Sequence, residues 1–461
     1  METQAITFDR ASAMPAPTWH FMKSNEARIE IPAGLEIAPD VSASVPPLAR
    51  GAADEFENAL ADAQLAWDEE HPMPTEAELA ERAAFLAAEA DATYGGTAQS
   101  DYQANADAIE EARSLAMAFE TGVGDEVGAY LRYAAGDRIV VAAGPGEAIE
   151  ASVCVRAVTG AISAAAIDVV ADEGSTVRLK LHVDSPEETP ADKPNGAPAG
   201  ELAGAPADSA DAAHAIAGTT LRVFADAGST VDIVRSQTLD DGVIDIDDMG
   251  LFTHKRANVS VCQTVLGAGT SFAGLAADLR GAESGLVVDT RYLGHGSQKR
   301  DFNYIVRHHG QKTECNLKAN GVLAGASEKT LKATIDLIRG AKGAQGSERE
   351  NVLLVDEGVR NKTVPVILCN EDDVAGNHGA TIGHIRSEQL FYLASRGLAQ
   401  DAAERMFVSA IVEQAAIDAP GEEARRGIVR LGERIAPGFA ELFDDGDAGV
   451  RTSALESEED R

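Results

Sequence analysis

Length, composition and charge place broad bounds on this chain. It has 461 residues, 44% of them hydrophobic, which is typical of a folded protein with two or three domains or one elongated one. Acidic residues outnumber basic ones by 75 to 39, for a formal net charge of −36. Such a surface repels nucleic-acid phosphates and anionic lipids, so we expect neither nucleic acid nor membrane as a partner. It favours solubility, a basic protein partner or life at high salt.

The sequence also predicts where the protein resides. No apolar run approaches the roughly 18 residues of a membrane span. The first residues, METQAITFDRASAMPAP, lack the basic start and apolar core of a secretory signal. We therefore expect a cytoplasmic protein.

Motifs for stand-alone metal or nucleotide chemistry are absent from the sequence. There is no CxxC, no HExxH, no GxxxxGK[ST] and no GxSxG. Adjacent His308 and His309 would face opposite sides of a strand, so they are poor joint ligands. Isolated cysteines in a large cytoplasmic protein are mostly buried small hydrophobes, and we expect this of Cys154, Cys262, Cys315 and Cys369.

The N-terminal quarter has a helical pattern. Residues 52–70, 75–91 and 107–119 are the candidate helices, the second with apolar residues at helical spacing behind Thr75. This pattern predicts an N-terminal helical region over residues 1–115.

From about residue 120 the pattern changes to short strands separated by Gly, Asp and Ser. The absence of crossover helices over more than 200 residues argues against a doubly wound sheet and leaves a sandwich, a barrel or a β-solenoid. Within this region, residues 184–213 are rich in Ala, Pro, Gly and acid and are predicted to be a flexible acidic insertion. The strand-like runs are 138–142, 152–158, 176–183, 220–225, 231–234, 243–246, 258–266, 285–292, 303–307, 313–317 and 334–338.

One group of carboxylates deserves a separate test because solenoid polysaccharide lyases and hydrolases need clustered acids on a coil face. Asp245, Asp247 and Asp248 could form such a cluster. The favoured interpretation is a solvated acidic turn.

The C-terminal part is predicted to be helical over residues 386–461, with helices at 387–396, 400–417 and 421–434 and a loose acidic tail from 442. Just before it, residues 369–397 read CNEDDVAGNHGATIGHIRSEQLFYLASRG. We expect an acidic turn at 371–373, a small-residue loop at 376–381 and a helix that starts near Ser387 and ends at Gly397.

The order and spacing of DDV, HGAT and LFYLASRG in this segment resemble the signature of the SufB/SufD family of the SUF iron–sulfur cluster assembly system. The resemblance implies a right-handed parallel β-helix over residues 116–385, flanked by N- and C-terminal helical regions. Gly379 follows the motif histidine where SufB has Glu, and Glu350 stands where SufB has Cys, so the chain is closer to SufD. Gly376 stands where many SufD proteins have Cys.

The same resemblance implies a function. It is that of a non-catalytic subunit of a SufBCD complex, paired with a SufB-like protein and an ABC-type SufC-like ATPase, or a homodimer without SufB. No cofactor would be held stably by this chain alone, and an iron–sulfur cluster would be transient in the complex. A SufB-like cluster scaffold and a β-helix carbohydrate-active enzyme are the alternatives.

Two sets of residues follow from the resemblance. The cluster-assembly interface would be formed by His378, Asn377 and Gly379, with His378 as the candidate metal ligand. The helices that dock the ATPase would present Phe391, Tyr392, Arg396, Met406 and Phe407.

Overall fold

The computed structural model is built on two long, mainly parallel β-sheets. It describes residues 5–16, 24–52, 54–70, 119–185, 215–384, 387–398, 400–419, 421–435 and 439–440, with isolated helical positions at 77, 80 and 84. The strands are β1 (Ile6–Ala11), β2 (Ala27–Ile31), β3 (Glu36–Ile37), β4 (Asp40–Ser44), β5 (Arg138–Ala143), β6 (Ala148–Arg156), β7 (Ala161–Ala171), β8 (Thr176–Asp184), β9 (Ala215–Ala225), β10 (Thr230–Thr238), β11 (Val243–Thr253), β12 (Asn258–Val265), β13 (Thr270–Leu279), β14 (Gly285–Gly294), β15 (Lys299–His308), β16 (Glu314–Leu323), β17 (Glu328–Leu337), β18 (Gln345–Leu354), β19 (Arg360–Cys369) and β20 (Ala375–His384).

The chain winds as a β-solenoid of about eight turns. From β6 onward, each strand pairs in parallel with the strand two places further along the chain. The odd-numbered strands from β3 onward therefore form one nine-stranded sheet, the odd sheet, in which β5 pairs with β7. The even-numbered strands from β4 onward form the nine-stranded even sheet. The solenoid confirms one of the architectures left open by the strand pattern and the one implied by the family resemblance.

The interior of the solenoid is filled by every second side chain of each strand. In β8, for example, Val177, Leu179 and Leu181 are fully buried while Arg178 is exposed. The side-chain period of two produces this alternation, and the inward rows of successive coils merge into one continuous apolar core.

The outer face of the odd sheet is covered by N-terminal elements. The antiparallel hairpin β1–β2 and helix α2 (Asp125–Ala135) bury Ile162, Ile216 and Ile246. The segment before α2 crosses the sheet at backbone distance: a Cβ on Gly122 would lie 1.8 Å from the Leu275 nitrogen. Glycine is required at this crossing because any side chain would overlap the sheet.

Helix α1 (Glu55–Glu70) covers a second part of the odd sheet. Phe56 packs there with Val170, Phe224 and Phe252 in a separate apolar cluster. Residues 52–70 were predicted to be helical, and α1 confirms that prediction.

Three helices follow the solenoid, α3 (Ser387–Ser395), α4 (Gln400–Ile417) and α5 (Glu422–Ile435). Helices α4 and α5 pack on Leu266, Leu293 and Val322, which lie in strands of the even sheet or directly after one. Arg430 of α5 also forms an ion pair with Asp184. The predicted C-terminal helices are confirmed, and Gly397 ends α3 with a positive φ of 89°. The tail from residue 442 lies outside the described residues.

The N-terminal prediction needs correction. Residues 6–44 hold four strands where a helical region over 1–115 was expected, because β3 and β4 extend the first coil of the solenoid by pairing with β7 and β6. Nearly all of the candidate helices at 75–91 and 107–119 and of the 184–213 insertion lies outside the described residues; positions 77, 80 and 84 are described and helical. Helix α2 was not predicted from the sequence.

None of the described helices has the length and apolar character that a membrane span requires.

Candidate functional site

The last coil of the solenoid, formed by β19 and β20, is open. Strand β19 pairs with β17 and β20 with β18, and no described strand lies on the other side of either. Nearly every residue of β20 is exposed, whereas strands further back in the solenoid are mostly buried. Unpaired strand edges of this kind are templates for pairing with another chain.

The open coil also exposes the inward row of side chains. Ile367 and Ile382 occupy positions that match the buried Ile335 and Val352 of the preceding coil, yet they are 38% and 47% exposed. The apolar interior of the solenoid is therefore uncovered at this end, as expected of a contact surface.

His378 lies in this open coil, in the middle of β20. The small-residue loop predicted at 376–381 is wrong, since these residues continue the parallel ladder against β18. His378 takes an inward position opposite Glu348, and its Nδ1 lies 3.2 Å from Oε2 of that carboxylate. Burial and the neighbouring Glu350 raise the pKa of Glu348, while His378 acts to lower it.

A buried polar cluster continues behind Glu348. Glu350 is fully buried and forms a short ion pair with the buried Lys329. Tyr292 and Thr363 donate hydrogen bonds to the same carboxylate. Burial lowers the pKa of Lys329, and the attraction of Glu350 opposes this. Glu350 is thus a fully partnered interior group.

Asn377 and Gly379 do not share the face of His378. Because side chains alternate along a strand, both positions point outward. Asn377 lies next to Ser347 and lines a cavity of about 380 Å³ on the outer surface of the even sheet. A Cβ on Gly379 would meet open space. The structure therefore separates the three residues predicted to form one interface site, leaving His378 on the inward face.

Gly376 is the inward neighbour of His378, where many SufD proteins have Cys. A Cβ at this position would lie 3.0 Å from Cγ2 of Ile367 on the facing strand. Relative to the contact between Gly376 and Ile367, Cys369 lies nearer the turn that joins β19 to β20, and His378 lies further from that turn. The fold therefore does not bring Cys369 and His378 together. The thiol of Cys369 instead donates to the carbonyl of Glu371 at 3.3 Å.

The other cysteines follow the prediction only in part. Cys154 and Cys315 are buried, and burial raises the pKa of each thiol to about 12, with Glu423 adding to the effect at Cys154. Cys262 is half-buried, and Cys369 is exposed. Among the described residues, no group of three or more His, Cys, Asp and Glu side chains could hold a metal ion.

The residues predicted for ATPase docking lie on α3 and α4, except Arg396, which directly follows α3. Phe391 and Tyr392 are 76% and 57% exposed, and the Arg396 guanidinium lies 5.2 Å from the Tyr392 ring centre. Met406 of α4 is also exposed. The side chain of Phe407 lies outside the described residues.

The acidic group at 245–248 was misjudged. Asp245 and Asp247 point into the solenoid and contact the guanidinium of buried Arg235 at 2.8 and 3.2 Å, respectively. Asp248 is buried on the opposite face, beneath the segment before α2. None of the three forms a solvated turn, and none is available on a coil face for carbohydrate chemistry. Met249 and Leu251, at even spacing from Val243, were the signal that β11 continues past Ile246.

Comparison with known proteins finds a family similarity over part of the chain. Residues 203–411 match the SufBD core domain of the SUF iron–sulfur cluster assembly system. This segment of the chain is therefore similar to the SufB/SufD family. This match spans most of the solenoid and includes His378 with the first C-terminal helices, as the sequence resemblance predicted.

Individual relatives match over shorter segments. An iron–sulfur cluster assembly SufBD family protein of Mycobacterium leprae is 35% identical over 140 residues, which are 30% of this chain and 16% of the relative. The iron–sulfur cluster assembly protein SufD of Bacillus subtilis is 28% identical over 145 residues, 32% of this chain and 33% of the relative. The matched segments thus span a third or less of these relatives' lengths.

Proposed function

We propose that this chain is a SufD-like, non-catalytic subunit of an iron–sulfur cluster assembly complex. It pairs with a SufB-like protein through the open coil and docks a SufC-like ATPase through its C-terminal helices. Support comes from the family match, from the relative named SufD in B. subtilis, and from Gly379 and Glu350 at positions where SufB has Glu and Cys.

The observation that carries the proposal is the uncovered end of the solenoid. Strands β19 and β20 offer backbone donors and acceptors along two edges, and Ile367 and Ile382 offer apolar surface between them. A second solenoid that ends in the same way would satisfy both by continuing the two sheets across the interface. A SufB-like chain is the expected partner, and a second copy of this chain is the substitute when SufB is lacking.

His378 is the group of this chain that would contact the nascent cluster. The Glu348 carboxylate beside Nδ1 fixes the ring orientation and leaves Nε2 as the ligand atom, an arrangement common at metal-binding histidines. The cluster is the cargo of the complex. Its remaining ligands would come from the partner, so this chain alone would hold no stable cluster.

The docking proposal rests on α3. Two large aromatic side chains on adjacent helical positions, both mostly exposed, are costly to leave in water, and they are typical anchors of protein interfaces. Movement of a docked ATPase during ATP hydrolysis would be passed through α3 to β20, which ends at His384, three residues before that helix begins.

The test is co-expression of this chain with the SufB-like and SufC-like proteins of its source, followed by affinity capture. We expect the wild-type chain to retain both partners. The double variant Ile367→Asp with Ile382→Asp should lose the SufB-like protein, because it places charges in the buried centre of the interface.

Val287→Asp is the matched control, since Val287 is a comparably exposed apolar residue away from the open coil, and it should retain the partner. A wild-type chain that captures neither partner would contradict the proposal. So would a double variant that pairs as well as the control.

A further inference from the structure

A second cavity, of about 390 Å³, lies between α1 and consecutive turns at one edge of the odd sheet. Its volume falls in the range of about 300–1,000 Å³ that is usual for small-molecule sites. No described lining residue is acidic, although acidic residues outnumber basic ones by 75 to 39 in the chain. The ionisable lining residues are His254, Lys255, Arg280, His309 and Arg339, and Trp67 and Phe252 are the aromatic ones.

The floor of the cavity is built by stacking of equivalent turns. Arg280 and His309 each follow a strand directly, and their backbone N–H groups donate to Thr253 and Leu279 of the coil before. The next positions are glycines that cannot be replaced without moving backbone: a Cβ on Gly281 would lie 1.9 Å from the Lys255 nitrogen, and a Cβ on Gly310 would lie 2.5 Å from the Gly281 oxygen. The floor is therefore concave.

Arg280 is the buried cation of the cavity. Its guanidinium carbon lies 4.6 Å from the centre of the Trp67 ring, and it donates to Asp278 at 3.3 Å. Burial acts to raise the pKa of Asp278, but His309, Arg280 and Arg307 outweigh it and lower that pKa to about 2. Asp278 is therefore ionised and offsets part of the positive charge from behind the lining.

Two further cations, Lys255 and Arg339, are exposed at the cavity. Among the described residues, acidic groups also approach this lining, since Asp226 lies 3.6 Å from the His254 ring and Glu371 accepts the Gly340 N–H. The lining nevertheless retains three cationic side chains and no carboxylate of its own among the described residues. This balance attracts an anion into the cavity.

His309 adds a buried polar group without a strong partner. Among the described residues its Nδ1 has no hydrogen-bond partner, and its Nε2 lies 3.6 Å from Oδ1 of Asp278. Burial lowers its pKa, so the ring is neutral near pH 7 and can donate one hydrogen bond. The ring meets Trp67 edge-on at 5.7 Å between centroids.

We propose that this cavity binds a small phosphorylated compound. Lys255, Arg280 and Arg339 would hold the phosphoryl oxygens, because a dianionic phosphate uses several cations and an arginine fork matches its geometry. The apolar face contributed by α1, with Trp67 at its centre, would contact the rest of the ligand. No described lining residue belongs to β19 or β20.

Fluorescence of Trp67 provides the test. The chain has two tryptophans, so Trp19→Phe leaves Trp67 as the sole indole emitter. The full chain is titrated with pyrophosphate, inorganic phosphate and citrate at an ionic strength of about 0.15 M. We expect pyrophosphate to produce a saturable change in Trp67 fluorescence, and to do so at lower concentration than citrate. The double variant Lys255→Gln with Arg339→Gln should weaken pyrophosphate binding by at least about tenfold, since both substituted groups are exposed cations of the cavity lining.

Lys299→Gln with Lys318→Gln is the control, because it changes the net charge equally at exposed positions outside the cavity lining. The affinity of this control for pyrophosphate should stay within about twofold of that of the Trp19→Phe chain. The proposal is overturned if pyrophosphate gives no saturable change, if citrate binds more tightly, or if the control pair weakens binding as much as the cavity pair.

Discussion

Asp248 shows how strongly a single buried carboxylate can depend on its surroundings. Its Oδ1 accepts a 2.7 Å hydrogen bond from the Val123 N–H, beneath the segment that leads into α2. Burial raises the pKa of Asp248 to about 7, while that hydrogen bond acts to lower it. The carboxyl therefore holds its proton in the folded protein at pH values where it is ionised in the unfolded chain.

This raised pKa predicts a pH-dependent effect of Asp248→Asn. Between about pH 4 and 7 the unfolded chain releases the proton and the folded chain keeps it, so the wild type loses stability as the pH rises, by up to about 1.4 kcal/mol per pH unit. The amide does not titrate. The stability difference between variant and wild type, from urea unfolding, should therefore grow in favour of the variant from pH 4 to 7 and then level. A difference independent of pH would contradict the raised pKa.

Residue placement was the hardest feature to predict from sequence. Asp245 and Asp247 look like surface acids because their charge partner, Arg235, lies in another strand and is brought inside only by coil stacking. His378 was predicted to be a site residue from the family resemblance, but its inward direction and its contact with Glu348 depend on the register of β20 against β18. Sequence spacing carries no information about that register.

Elements differ in how well their sequences specify them. Helices α3 to α5 were predicted closely because local signals define them, including Gly397 at the end of α3. Strands β7, β13 and β20 were missed because they are rich in alanine and glycine, residues with low strand propensity. Pairing with neighbouring coils imposes the strand there, and small residues suit the close approach seen at Gly274.

Helix α3 leads to a prediction about docking. Phe391→Ser with Tyr392→Ser removes the exposed aromatic pair, so capture of the SufC-like ATPase should weaken by at least about tenfold while the SufB-like partner is retained. Leu65→Ser on α1, also a mostly exposed apolar residue, is the control and should bind as the wild type. Affinity capture with quantified band ratios measures both partners at once. Unchanged ATPase capture by the aromatic variant would place the docking surface elsewhere.

For the whole molecule, the strand pattern argued against a doubly wound sheet but left the solenoid, the sandwich and the barrel open. The coils share a fold but not a strict sequence repeat, because connecting turns vary in length and polar residues interrupt the inward rows. The choice came from the family resemblance, and the parallel ladder between alternate strands confirms it. The N-terminal strands that extend the first coil were not foreseen, since their partners lie more than 100 residues away.

The central claim is that this chain completes a cluster-assembly site through His378 at its open coil. The most direct measurement is the iron and acid-labile sulfide content of the co-expressed complex, for wild type, His378→Ala and Asn377→Ala. We expect His378→Ala to reduce both by about tenfold with the complex still assembled. Asn377→Ala should match the wild type, because its side chain faces outward. If His378→Ala carries wild-type amounts of iron and sulfide, the claim is contradicted.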